Sequence, residues 1–310
     1  MPFDFSAVSA PFRMQPGLRR LAPGATQLTP LRGGDRALHE KLAVLSAASS
    51  QALLCTAGFD AAPALDALCR HAATEHPQAF GWDGATATAS QLGWAVRHDE
   101  PLPLANAMPH VGACLAGLPA GWSLGGLLSL AFAEDFAIVD ADSGRIPWLA
   151  VCLPSHWAPE AKVGRHFSEV HAPVADNTVL LAASAHLLRL VTAPERWERF
   201  VWTVTPHSRL DSHPDRATDE VWPGSAASPA EVAAQAHWRT ERQTFIPLPE
   251  RRQAVFTIHV EVQPLGSALQ GPAQAAQLRD ALASMSPAVL AYRGLAPVRD
   301  RLLVWLDTQV

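Results

Sequence analysis

Residues 237–262 read HWRTERQTFIPLPERRQAVFTIHVEV, and they decide the fold. They divide into two extended segments, 237–248 and 253–262. In the second, Val255, Thr257, His259 and Glu261 alternate with Phe256, Ile258, Val260 and Val262. A period of two marks a half-buried strand. The first segment is basic, with Arg239 and Arg242. Upstream, RFVWTVT at 199–205 is a third extended segment, separated by a loop, 206–230, rich in Pro, Ser and Asp.

Further upstream, FAIVD at 136–140 and PWLAVCL at 147–153 flank ADSGR, a turn-forming stretch, so the pair reads as a β-hairpin. A helical pattern follows at 159–171. Val163, Phe167, Val170 and His171 fall at i, i+4, i+7 and i+8, on one face. Pro173 stops that helix. A second helix, 177–191, is apolar on nearly all sides and is expected to be buried. Two strands, a helical crossing and three strands make the element order of a PAS-like domain. The expected class is therefore α+β, a PAS-like antiparallel sheet with helices enclosing a pocket.

The flanks complete the organisation. Residues 1–35 are an irregular arm. Residues 36–57 and 61–75 read as helices, with Leu38, Leu42 and Leu45 at helical spacing. We expect an arm and mostly helical cap over 1–125, the core over 126–265, and helices at 268–284 and 287–307 packed on it within 266–310, all as one compact unit.

The chain has 310 residues, 48% hydrophobic and 17% charged, an ordinary globular composition. A net charge of -5 argues against nucleic acid as a partner. No stretch offers roughly twenty clean apolar residues, so no membrane span is expected, nor is a signal core evident at the start. Cys55, Cys69, Cys114 and Cys152 are widely spaced with no CxxC pair, which fits reduced cysteines in a cytoplasmic protein.

Histidines are the most suggestive side chains. His156, His166 and His171 lie within one short stretch. His171 shares its helical face with apolar residues, and a buried imidazole tends to be neutral, the form that binds iron. A core histidine bonded to a backbone carbonyl is the competing reading. His156, on a loop, is a second ligand, a distal residue or a surface group. His186 faces the same cavity or sits satisfied in the core. His166 and His171 are five apart and do not share a helical face, so a two-histidine metal helix is not expected. Arg239, Arg242 and Lys162 are candidates for anionic groups, or else solvated charge on an edge strand. A neutral histidine beside a cationic sheet edge suits heme, whose iron takes the nitrogen and whose propionates take the arginines.

GWSLGG at 121–126 matches the nucleophile-elbow pattern, with Ser123 as the would-be nucleophile. Pro119 interrupts the strand the motif requires, and no triad partners follow. A Gly-rich loop is the better reading. No dinucleotide or P-loop pattern is present.

Four stretches carry a resemblance. They are PFRMQPGLRRL at 11–21, AEDFAIVD at 133–140, LPSHWAPEAKVGRHFSEVHAPVAD at 153–176, and WRTERQTFIPLP followed by AVFTIHVEVQPL. The chain resembles the catalytic-subunit-like family of heme-dependent oxidative N-demethylases. That resemblance implies a PAS-like domain holding heme b and using O2 to remove a methyl group from a small amine, with release of formaldehyde. A separate flavin and iron–sulfur reductase subunit would supply electrons. By motif, His171 becomes the favoured axial ligand, with His156 or His186 as fallback, and Arg242 sits near the propionates. Glu134, Asp135 and Glu241 are candidate partners for a cationic amine, with Trp157 or Trp202 adding a cation–π contact. The chain departs from the family at Val201, where an Asn precedes the Trp, at Ala175, where a Pro is usual, and at His259. A heme-binding sensor or carrier without turnover is the alternative of another class. A serine hydrolase using Ser123 is the third.

Overall fold

The computed structural model describes residues 3–218 and 221–310. Eleven strands are named in chain order: β1 (Arg19–Arg20), β2 (Leu53–Cys55), β3 (Phe80–Trp82), β4 (Thr86–Ala89), β5 (Trp94–Arg97), β6 (Glu100–Pro103), β7 (Asp135–Asp140), β8 (Arg145–Ala150), β9 (Trp197–Thr205), β10 (His237–Leu248) and β11 (Gln253–Pro264). Seven of them form one sheet in the order β1-β9-β10-β11-β7-β8-β2. Every pairing in it is antiparallel. The architecture is α+β on antiparallel sheets, as expected. The two segments of the opening stretch are β10 and β11, paired along their whole length from His237↔Pro264 to Leu248↔Gln253.

Register fixes the two faces, because side chains alternate along each strand. The first face carries Trp238, Thr240, Arg242 and Thr244 of β10 beside Val204, Trp202, Phe200 and Glu198 of β9. Helices Arg36–Ala52 and Ser123–Ala131 contribute Leu38, Leu42, Leu45, Leu127 and Leu128 to a core with Phe136, Ile138, Trp148 and Ala150. Trp202 and Trp238 stack at 5.0 Å on this face. They belong to a second core, with the arm and the C-terminal helices.

The second face carries Arg239, Glu241, Gln243 and Phe245 of β10 beside Thr203, Val201, Arg199 and Trp197 of β9. Val262, Val260, Ile258 and Phe256 of β11 continue it. The crossing between β8 and β9 covers this face. Val163 and Val170 pack on Ala137, Ile146, Leu149 and Val151, and Val191 packs on Phe245 and Ala254.

Several boundaries differ from expectation. The first long helix ends at Ala52, and the next three residues leave it to pair with β8. Residues 80–103, inside the stretch expected to be mostly helical, form a four-stranded sheet in the order β3-β4-β5-β6. Residues 159–171 are not one helix. A single turn, Pro159–Ala161, is followed by an extended piece, and only Phe167–His171 is α-helical. The start of β8, beyond the end of β2, takes that piece, since Ile146 N donates to Arg165 O and Gly164 N to Ile146 O. Gly164 and Gly144, at φ 71° and 67°, supply the left-handed corners. A side chain at Gly144 would strike the His166 ring.

The helix expected over 177–191 is two short ones, Thr178–Ala182 and Ser184–Val191. They bury Leu180, Leu187, Leu188 and Val191 but leave Val179 62% exposed, so only one side is packed. The C-terminal pair is also divided, into Leu265–Ala268, Pro272–Ala283, Pro287–Tyr292 and Arg299–Asp307. Left-handed Gly271 and Gly294 make two of the breaks. No described helix is long and apolar enough to cross a membrane.

Candidate functional site

His171 ends helix Phe167–His171. The helix is short, so its ends are held by side chains. His166 Nδ1 accepts from Ser168 N, and Glu169 accepts from His166 N, a reciprocal capping pair. At the other end, Lys162 Nζ donates to Val170 O at 2.8 Å and Asn177 Nδ2 donates to His171 O at 3.1 Å.

The His171 ring is oriented from within its own turn. Nδ1 lies 2.8 Å from Phe167 O, and the Phe167 ring packs on the imidazole at 4.1 Å. A carbonyl oxygen only accepts, so Nδ1 carries the proton and Nε2 keeps its lone pair. Burial pushes the His171 pKa down to about 4; the Phe167 bond opposes that shift, and the charges of Arg199 and Lys162 add to it. The imidazole is therefore neutral at physiological pH, with Nε2 available as a donor to a metal.

Facing this helix, the second face of the sheet presents Arg199, Val201, Glu241, Gln243 and Val260. Arg199 is half-buried and has no hydrogen bond or ion pair among the described residues. Burial lowers its pKa, and the Glu241 charge offsets part of that. Glu241 is 8% exposed and accepts from Gln243 Nε2. Arg293, after helix Pro287–Tyr292, reaches the edge of β9. It donates to Trp202 O and lies 4.6 Å from the Phe12 ring. Burial lowers its pKa to about 10; the charge of Arg199 adds to that shift, and Glu241 opposes it.

The other candidates fall into separate places. Arg239 is 1% exposed and fully engaged. Its guanidinium donates to Ser155 Oγ (2.8 Å), Arg209 O (3.0 Å), Ser212 Oγ (3.2 Å), Pro154 O (3.2 Å) and Leu210 O (2.7 Å). It ties the chain after β8 and the loop after β9 to the sheet. Arg242 is on the first face, paired with Glu198 at 2.9 Å and donating to Thr26 O at 2.7 Å. Trp202 is on that face too, 3% exposed.

Glu134 and Asp135 are each 1% exposed and serve the interior. Glu134 holds Thr29 N at 2.9 Å and His259 Nδ1 at 3.2 Å, while Asp135 pairs with Lys41 at 3.0 Å and accepts from Leu153 N. His186 is exposed on its helix, opposite the packed residues. Trp157 is half-buried against the second face. His156 is exposed and left-handed, at φ 63°, with its ring 5.6 Å from that of His207. Loss of water around the rings, with the nearby charge of Arg239, pushes both imidazoles down to about 4. The structure thus groups His171, Lys162 and Glu241 with Arg199 and Arg293, and leaves Arg242, Trp202, Glu134 and Asp135 outside that group.

Two alternatives lack the local geometry. Ser123 opens its helix and donates Oγ–H to Asp99 O at 2.7 Å, while Ser123 N donates to the Asp99 carboxylate. The element before it is helix Pro109–Ala116, not a strand. Elsewhere, Glu160, His213 and Asp215 bring ligand atoms within 4.8 Å of one another. His213 Nδ1 accepts from Asp215 N, so Nε2 carries the proton and donates to Glu160. That imidazole has no lone pair left for an ion as arranged.

A family model described as haem-dependent oxidative N-demethylase, alpha subunit-like, matches residues 37–303. The chain belongs to that family. The name describes a haem-dependent oxidative enzyme and one subunit of an assembly. In this member of the N-demethylase alpha subunit-like family, the matched region contains β2–β11 and with them His171, Arg199, Glu241 and Arg293. Arg199 and Arg293 escaped the sequence reading. A signal for Arg199 exists, since it alternates with Val201 and Thr203 along β9. Arg293 has none, because it reaches β9 from a distant helix.

Proposed function

We propose that the chain is the heme b-binding subunit of an oxidative N-demethylase. One O2, two electrons and two protons convert the N-methyl amine into the demethylated amine, formaldehyde and water. The electrons come from a separate flavin and iron–sulfur reductase subunit. The observation that carries the proposal is the His171 Nε2 lone pair, left free by the Nδ1 bond to the Phe167 carbonyl and lying within reach of the charge of Arg199, which has no hydrogen bond or ion pair among the described residues. Heme-binding histidines are oriented by such a bond on the other ring nitrogen. The strand order β9-β10-β11-β7-β8 supports a PAS-like sheet, with the helical crossing on its second face.

The residues present fit heme. His171 would hold iron through Nε2. Arg199, with Lys162 near the same imidazole, would meet the propionates. An arginine left without a partner in a half-buried cleft is costly unless an anion completes it. Bound heme would supply the oxygen chemistry. The protein's part is to keep His171 neutral, to keep the helix end still through Lys162 and Asn177, and to offer Glu241 to the amine.

The test is the visible spectrum of protein loaded with hemin, oxidised and then reduced under carbon monoxide. A Soret band that shifts on reduction and is lost or displaced in His171→Ala is expected. A protein that takes up no hemin ends the proposal. Heme uptake without formaldehyde from any amine, given a competent reductant, would leave a sensor or carrier.

A further inference from the structure

The sequence has twenty-two arginines but only two lysines, Lys41 and Lys162. The difference matters chemically, because a guanidinium stays protonated while an amine can lose its proton and become a nucleophile. Lys41 is out of reach. It is 0% exposed, paired with Asp135 at 3.0 Å, and donates to Phe132 O and Glu134 O. Lys162 is placed differently. It follows the single turn Pro159–Ala161 and is half-buried, so solvent reaches part of it. Its Nζ donates to Val170 O at 2.8 Å and has no carboxylate partner among the described residues. Val163, the next residue, packs on the sheet together with Val170, which keeps this stretch of chain in place. Burial lowers the Lys162 pKa, and no anion opposes that shift. Loss of water disfavours the ammonium and so frees the nitrogen lone pair.

We infer that Lys162 is a carbonyl-capture site, at which Nζ condenses with a small aldehyde to form an imine. The nitrogen lone pair attacks the carbonyl carbon, an N–C bond forms, and the resulting carbinolamine loses water; nothing is oxidised or reduced. The inference rests on the reading above for the identity of the aldehyde, since formaldehyde is the product proposed there. Its consequence runs through the one bond that Nζ makes. A neutral imine nitrogen has no hydrogen to donate, so Val170 O loses its partner, one residue before His171. The positive charge felt at the His171 ring goes with it. Capture therefore loosens the helix end that presents His171. Bound heme would oppose it, because a propionate near Lys162 keeps the ammonium charged. Capture thus belongs to the heme-free chain, and it makes formaldehyde a brake on heme loading.

The test treats the heme-free full chain with formaldehyde at neutral pH. In one arm cyanoborohydride reduces any imine, and mass spectrometry of a digest locates the added methyl groups. Lys162 is expected to be labelled at least about tenfold faster than Lys41, which reacts only when the fold opens. It should also outpace the side chain of N-acetyl-lysine amide, whose ammonium is fully hydrated. In the other arm no reductant is added, and hemin uptake is followed by the Soret band. Formaldehyde should weaken uptake by the wild type about tenfold or more, the worth of one charge-assisted hydrogen bond. Uptake by Lys162→Arg should be the same with and without formaldehyde, since arginine keeps a donor but is not captured. Labelling of Lys162 slower than the free amide overturns the inference, as does an equal response of wild type and Lys162→Arg to formaldehyde. If the untreated protein takes up no hemin, the heme reading fails by itself, and the labelling rates still decide whether Lys162 captures aldehydes.

Discussion

His171 Nδ1 and the Phe167 carbonyl oxygen are 2.8 Å apart across one helical turn. The bond sets the ring's tautomer from within the helix, and it needs only the backbone of residue 167. Phe167→Leu should therefore keep hemin binding within a few-fold of wild type. His171→Gln should abolish or displace the Soret band of the hemin-loaded protein while leaving the fold's circular dichroism unchanged. An unaltered Soret band in His171→Gln would move the ligand to another residue.

Stability should fall with acid over a defined window. His156, His171 and His207 are each held near 4, against an ordinary 6.5. Between those values the unfolded chain binds protons that the folded one refuses. Stability is thus complete above pH 6.5, declines as pH falls from there toward 4, and levels off below as far as these groups are concerned. Melting temperature measured across that range should show it, and His171→Ala should make the slope shallower. An equal slope in the variant would show that His171 does not contribute.

Arg239 is a clamp, and its loss should be expensive. Its donors serve four carbonyls and two hydroxyls of the 153–155 and 209–212 segments. Arg239→Met strands those acceptors and should cost about 3 kcal/mol or more in urea unfolding. Lysine, with one nitrogen, should not restore it.

Arg199 should behave oppositely. Because it is half-buried with no partner among the described residues, Arg199→Met should leave the apo protein as stable as wild type, or up to about 1 kcal/mol more stable. The same variant should lower hemin affinity by roughly tenfold or more. Thermal melts of the two forms, with and without hemin, separate the effects. A destabilised apo variant with unchanged hemin affinity would make Arg199 structural.

Lys41 and Asp135 form an ion pair at 0% and 1% exposure. Lys41→Met alone leaves Asp135 charged and enclosed, and should cost about 3–5 kcal/mol. Adding Asp135→Leu should recover part of it, which a double-mutant cycle in urea would measure.

Alternation along 253–262 and the apolar face of 36–52 were enough to place β10, β11 and the first helix, because period and burial are written in neighbouring residues. β10 ends where its hydrophobic pattern does. The four-stranded sheet at 80–103 was not legible, since its strands are only three or four residues long and carry Gly, Pro and Thr rather than a long alternation. The helix expected over 159–171 failed for a tertiary reason. Its apolar spacing was real, but the start of β8, left uncovered by β2, offered residues 164–166 backbone hydrogen bonds that a continuous helix would have refused.

The site divides the same way. His171 could be nominated from sequence alone, because its residue type and surroundings are local. Its tautomer, the face on which Arg242 lies, and the company of Arg199 and Arg293 were decided by register and by helices far away in the chain. Arg239 and Arg242 are three residues apart, an odd number, so a strand sends them to opposite faces. One became an enclosed clamp and the other an ion pair with Glu198. Composition determined that a neutral histidine and several arginines were available. Only the folded sheet, by alternating its side chains and leaving one guanidinium unmatched, decided which of them come near His171.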